Sequence, residues 1–282
     1  MTICIAAICR GDNIEDPKIL FCNDSLVSAG IQYEGSLKYD YLTHRAVCLF
    51  STNDGDLTEI LLYKIKENVR ADLKEKKIVA LNVIEIVQIV SKTCLDFRNE
   101  RIQNDIGYKY DIILSKIHEN TDTIAKNMQN DLESYNYPLE VDFLITGYDL
   151  DKQPHIFTVN QNGLIKKHDD SGFMVIGSGG MLAFSELTKY GFNGFQSLTE
   201  AIMDVYFAKK ASERMVGVGK NTYYSILHYS DTVTVDHLNQ NMDLMRMLDE
   251  EFEKLGKTEL ENRMAAIANI DNSKVLEPKT KS

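Results

Sequence analysis

Few side chains in this 282-residue chain have the type and spacing for chemistry, and the most familiar patterns fail on spacing. Its five cysteines (Cys4, Cys9, Cys22, Cys48 and Cys94) are odd in number and never spaced C-x-x-C. Four of them lie in apolar, strand-like runs, so they read as small buried hydrophobes of a reducing cytoplasm. The six histidines are scattered without an H-x-x-x-H pair, and no metal site is expected. Gly217-Val-Gly-Lys220 resembles a phosphate loop at first sight. A Walker sequence needs glycine five residues before its Gly-Lys pair and Ser or Thr after it, and those positions hold Arg214 and Asn221. Gly177-Ser-Gly-Gly180 could receive an anion at a helix start, but it lacks the longer glycine pattern of a nucleotide fold. Asn23-Asp-Ser25 is a glycosylation sequon by spelling only. Met242, Met245 and Met247, with Leu244 and Leu248, read as a packed helix face in preference to a cofactor box.

Charge excludes other functions. With 31 Lys+Arg against 42 Asp+Glu the net charge is −11, which argues against a nucleic-acid partner, because phosphate binding relies on clustered cations. Apolar runs such as Ile78–Leu81 and Val83–Val90, the latter broken by Glu85 and Gln88, are far shorter than the ~20 residues of a membrane helix. The opening Met1–Cys9 run has no basic flank before it and reads as a strand, not a signal peptide. No membrane association and a cytoplasmic location are expected.

The elements that must position any site follow from periodicity. Strands are expected at Thr2–Cys9, Lys18–Cys22, Leu26–Ala29 and Ala46–Phe50. A helix begins at Asp56, with Leu57, Ile60, Leu61, Ile65, Val69 and Leu73 at helical spacing; a second, apolar nearly all round, covers about 79–97. Residues 98–137 form a polar, helical arm with anchors such as Ile112, Ile117, Met128 and Leu132. Strands return at Val141–Tyr148, His155–Asn160, Leu164–His168 and Phe173–Ile176. Gly177-Ser-Gly-Gly180 opens a helix to about Tyr190, and Ser197-Leu-Thr-Glu200 is a capping box for another. Final strands at Thr222–Tyr229 and Thr232–Val235 precede a charged helix from about Asn239 to Leu255. Regular strand–helix alternation is absent, so a doubly wound parallel sheet is disfavoured. The expectation is an α+β, four-layer α-β-β-α sandwich of two antiparallel sheets flanked by helix pairs. It comprises a domain at 2–236 with a helical insertion at about 98–137, a helical extension at 237–271 and a tail at 272–282.

Four stretches in this order resemble β-type subunits of the proteasome family, among the N-terminal nucleophile hydrolases. Met1-Thr2 before Ile3-Cys-Ile-Ala-Ala7 is similar to the start of that family's first strand. Asp24-Ser-Leu-Val-Ser-Ala-Gly30 resembles its Asp-Ser-Arg-x-Thr-x-Gly segment. Ile145-Thr-Gly-Tyr-Asp149 with Pro154-His-Ile-Phe-Thr-Val159 resembles its Gly-Tyr/Trp-Asp hairpin, and Ile176-Gly-Ser-Gly-Gly180 its Gly-Ser-Gly helix opening.

The resemblance implies a threonine nucleophile whose own α-amino group is the base. That amine exists only once Met1 is removed, and the small Thr2 favours trimming; Thr2 is otherwise an ordinary β-branched strand residue. By the same resemblance Asp24 is the buried acid that orients Lys38, Ser178 hydrogen-bonds the terminal amine, and Glu213 takes the place of a carboxylate near it. Asn53, in Ser51-Thr-Asn-Asp-Gly55, takes the place of the oxyanion-hole donor. No metal or organic cofactor is implied. The expected activity is peptidase action on unfolded polypeptides within a homo-oligomeric ring, with an ATPase or activator partner left open. Three departures favour a non-catalytic structural subunit of the same fold instead: Leu26 for a basic residue, Val216 for a serine, and Ser51–Gly55 for Ala-Gly-Gly.

Overall fold

The computed structural model describes residues 2–11, 14–29, 31–34, 38–110, 123–229 and 232–268. Two five-stranded sheets carry the architecture, every pairing within them antiparallel. The first has the order β10-β1-β2-β11-β12, built from β1 (Cys4–Cys9), β2 (Lys18–Asp24), β10 (Phe173–Ile176), β11 (Thr222–Tyr229) and β12 (Val233–His237). The second runs β5-β6-β7-β8-β9, from β5 (Tyr39–Thr43), β6 (Ala46–Thr52), β7 (Val141–Tyr148), β8 (Pro154–Asn160) and β9 (Ile165–Lys167). A separate hairpin pairs β3 (Leu26–Ala29) with β4 (Ile31–Glu34).

Strand alternation sorts the side chains into layers. Cys4, Ala6 and Ile8 of β1 and Ile19 and Phe21 of β2 meet Val47, Leu49, Leu144 and Ile156 of the other sheet, forming the inter-sheet core. One residue out of phase, Ala46, Cys48, Phe143, Ile145, Phe157 and Val159 face the opposite way. They pack under α1 (Gly55–Lys76) and α2 (Val83–Ile102) through Leu61, Ile65, Ile86, Val87 and Val90. On the far side α5 (Gly180–Lys189) packs on β10, and α6 (Leu198–Ser212) on β1 and β2. The molecule is the α+β, four-layer sandwich expected. Because both faces of β1 are covered, all six of its residues are buried, which explains a continuous apolar run in place of alternation.

Helix starts follow local capping. The Asp54 side chain accepts from Leu57 N–H and starts α1, while Asn82 and Glu85 form a capping box for α2. The expected start of the second helix near residue 79 is therefore corrected to Val83: Val79 is exposed in the preceding loop, and its apolar type extended the apparent periodicity. The expected box at Ser197 and Glu200 is present. Strands β4 and β5 were not expected; β5 lies at a sheet edge, where only Leu42 is buried, so its sequence carries no strong apolar pattern.

In the arm, α2 continues through a π-turn at Gln103–Gly107 into the short α3 (Tyr108–Tyr110), and α4 covers Thr123–Ser134. Ile106 and Met128 are buried, and Asp131 accepts from both Lys109 and Tyr110. Ile112 and Ile117 lie outside the described residues. The chain divides into two compact units, Met1–Leu238 and Asn239–Ser282. The second holds α7 (Met242–Ala268), which runs through Gly256 well past its expected end. Within it Arg246 faces Glu250 and Asp243, and Lys254 faces Glu251, spacings that support an exposed helix. Among the described residues no helix is long and apolar enough to cross a membrane.

One ionic knot ties the second sheet to α2. His155 sits between Asp169 (Nδ1 to Oδ2, 2.5 Å) and Asp149 (Nε2 to Oδ2, 3.2 Å), Lys167 faces Asp169, and Asp149 also accepts from Val83 N–H at the head of α2. The hydrogen bond to Asp169 raises the histidine above its ordinary value against the opposing effect of burial. A raised folded-state value means that protonated His155 contributes stability fully below the unfolded value, ~6.5. The contribution fades as pH rises through the folded value. Asp169, raised by burial but lowered on balance by His155 and its other donors, gives stability that is present above the unfolded carboxyl value and lost in acid. Thermal unfolding of His155→Gln against the parent should show its largest deficit near pH 6, shrinking toward alkaline pH; a deficit that does not vary with pH would contradict this linkage.

Candidate active site

Antiparallel pairing brings chain segments far apart in sequence to one end of the first sheet. Cys4 pairs with both Asn23 and Ile176, and Thr222 pairs with Asp24. The start of β1, the end of β2, the exit of β10 and the entry to β11 therefore converge, and each delivers one part of a polar cluster.

Asp24 is its centre. The side chain has no exposed surface and receives four donors. Oδ1 accepts from Thr2 Oγ1 at 2.6 Å, Lys38 Nζ at 2.8 Å and Ile3 N–H at 3.1 Å. Oδ2 accepts from Gly219 N–H at 2.7 Å. Thr2 and Lys38 are themselves only 3% and 7% exposed. A cation and an anion with so little water must pair, since either one alone would carry an uncompensated desolvation cost.

Ser178 completes the arrangement around the Thr2 backbone. Thr2 N–H donates to Ser178 Oγ at 3.1 Å, and the Thr2 carbonyl accepts from Ser178 Oγ (3.3 Å) and Gly179 N–H (3.2 Å). The approach is close enough to require glycine at 177: its φ is +96°, and a Cβ there would collide with the Thr2 carbonyl oxygen. Beside Gly177 opens a cleft of about 490 Å³ with Met174, Ile176, Met181 and Phe184 among its apolar walls and Asp142 and Lys166 among its polar ones.

Four of the six expected residues (Thr2, Asp24, Lys38 and Ser178) thus meet. Two do not join them. Asn53 donates its backbone N–H to the Glu140 carbonyl at 3.1 Å, and its side chain bonds Pro138 and Glu140. It staples the start of α1 to the entry of β7, so its N–H is not free to receive an oxyanion. Glu213 pairs with Lys209 and Lys210, and Val216 is exposed.

Gly219 was missed by the sequence reading. Gly217-Val-Gly-Lys220, which fails as a phosphate loop, does present a backbone donor to an anion, and that anion is the chain's own Asp24. The Gly-x-Gly spacing is the available signal in the sequence. Asn23, spelled as a sequon, is fully buried.

Comparison with known proteins bears on this geometry. The sequence model of the proteasome subunit family matches residues 97–223. Among solved structures, the Anbu (Gly-1) mutant from Hyphomicrobium sp. strain MC1 superposes with a TM-score of 0.60 at 15% identity, over 96% of this chain and 98% of that one. The chain has a proteasome-like fold. No curated protein matches the sequence. The family match includes Ser178 and Gly219, spans the arm expected to be an insertion, and leaves out residues 1–96 with Thr2, Asp24 and Lys38.

Removing one member of the buried Asp24–Lys38 pair should cost about 3–5 kcal/mol. Lys38→Met should show such a loss in urea unfolding, and adding Asp24→Asn should recover a large part of it. Additive losses in the double variant would show that the two groups are not energetically paired.

Proposed function

We propose that the chain is a threonine-type peptidase whose nucleophile is the Thr2 hydroxyl, unmasked by removal of Met1. The observation that carries this reading is the convergence of Thr2 Oγ1 and Lys38 Nζ on one buried oxygen of Asp24, with Ser178 Oγ on the Thr2 nitrogen. Once Met1 is gone, that nitrogen is a free α-amine titrating near ~7.7–8, so a useful fraction is neutral at physiological pH and accepts a proton.

The reaction then runs in two halves. Thr2 Oγ attacks the carbonyl carbon of the scissile amide while the α-amine takes the hydroxyl proton. The C–N bond breaks as that proton passes to the departing nitrogen, leaving an ester on Thr2. Water, deprotonated by the same amine, attacks the ester and regenerates the hydroxyl. The Lys38 charge favours the alkoxide side of each proton transfer, and Asp24 holds that charge in place. Ser178 orients the amine. The cleft beside Gly177 offers an apolar wall to side chains of an extended polypeptide. Proteasome likeness supports assembly into a homo-oligomeric ring enclosing such sites, and the five free, buried cysteines fit a cytoplasmic setting.

A non-catalytic subunit of the same fold is the second reading, favoured by the engagement of the Asn53 N–H with Glu140. One experiment separates them. Intact mass of the native protein should lack the initiator methionine, and a peptide epoxyketone should add once to Thr2, with no adduct in Thr2→Ala. A retained Met1, or an adduct unaffected by Thr2→Ala, would overturn the peptidase reading.

A further inference from the structure

Among the described residues, Lys209 is the most deeply buried cation that the proposed chemistry does not use. It lies on the last turn of α6 with no exposed surface. Its ammonium makes two bonds: to Glu213 Oε1, four residues on, and to the backbone carbonyl of Lys220 at 2.8 Å. Burying a lysine is costly unless it is paired and hydrogen-bonded, and a hydrophobe would fill the same volume without that cost. The second bond points to what the cation does. Lys220 directly follows Gly219, whose N–H donates to Asp24 Oδ2.

We propose that Lys209, charge-balanced by Glu213, is a positioning residue that pins the 217–220 loop so that the Gly219 N–H is held on Asp24. The loop needs such a pin. Gly217 has φ +89°, and two glycines in four residues leave its backbone with much freedom to lose. The neighbouring contacts fit the same role. Ser212 Oγ bonds the Lys209 carbonyl, and Gly179 is closely approached by both Val218 and Ser212. Loop and Ser178-Gly179 turn are therefore packed as one unit around Thr2. Glu213, expected to act at the amine, acts through Lys209 instead.

This assignment rests on the Thr2 reading only for its effect on rate; its effect on the loop does not depend on catalysis. The test uses the full chain as Lys209→Met, which removes the donor, and Lys209→Gln, which keeps an N–H for the Lys220 carbonyl. Hydrogen exchange by mass spectrometry should show the peptide covering 213–221 exchanging about tenfold faster in Lys209→Met, with substantial recovery in Lys209→Gln. Epoxyketone inactivation should lose about tenfold in its maximal rate with little change in inhibitor affinity, and Lys209→Gln should rescue part of it. Should Lys209→Met fail to fold, Glu213→Gln, which removes the charge balance, should show the same faster exchange in that peptide. Unchanged exchange there in a folded variant overturns the pin. Faster exchange in a protein whose parent form never reacts with the epoxyketone keeps the pin and discards the peptidase reading.

Discussion

A carboxylate without exposed surface must find a hydrogen-bond donor for its lone pairs inside the fold, or bear the cost of a stranded charge. Asp24 finds four, and they come from three separate stretches of chain: Thr2 and Ile3, Lys38, and Gly219; the Ser178-Gly179 turn joins them through the Thr2 backbone. Satisfying one buried acid thus fixes the positions of an alcohol, an ammonium and a tight loop within one small volume. The catalytic reading and the packing of this end of the sheet depend on the same hydrogen bonds, so perturbing either perturbs both.

The sandwich supplies the rigidity for this. Two apolar layers, one between the sheets and one beneath α1 and α2, are separated by single-residue alternation along β6 and β7. The register of those strands is accordingly fixed: a slip by one residue would exchange the two layers completely. On the first sheet α5 and α6 close the outer face, and the C-terminus of α6 presents Lys209 toward the Asp24 loop. Helix, loop and strand end form a continuous route from Glu213 to Thr2, made of 2.5–2.8 Å hydrogen bonds and the peptide bond between Gly219 and Lys220.

Much of this was legible in the chain. The continuous apolar run of β1, the helical spacing at Leu57–Leu73, and the Ser197–Glu200 box each report local physics, and each element lies where it was expected apart from its ends. What misled were residues whose type spoke louder than their setting. Val79 reads as helix and is an exposed loop residue; the last helix, expected to end at about Leu255, runs on through Gly256; the edge strand β5 is half polar and carries no strand pattern. Asn53 shows the same limit at the site. Its position in the sequence suggests a backbone donor, yet Glu140, 87 residues away, accepts that N–H.

The sequence by itself determined the layers, the strand–helix order and the types of residue at Thr2, Asp24, Lys38 and Ser178, because periodicity and capping are properties of neighbouring residues. Only tertiary structure decided that Glu213 pairs with Lys209, that Gly219 faces Asp24, and that the Asn53 N–H meets the Glu140 carbonyl. Those choices are competitions among hydrogen-bond partners separated by up to 195 residues. They are settled by which ends of antiparallel strands come to lie side by side, and no local pattern records that.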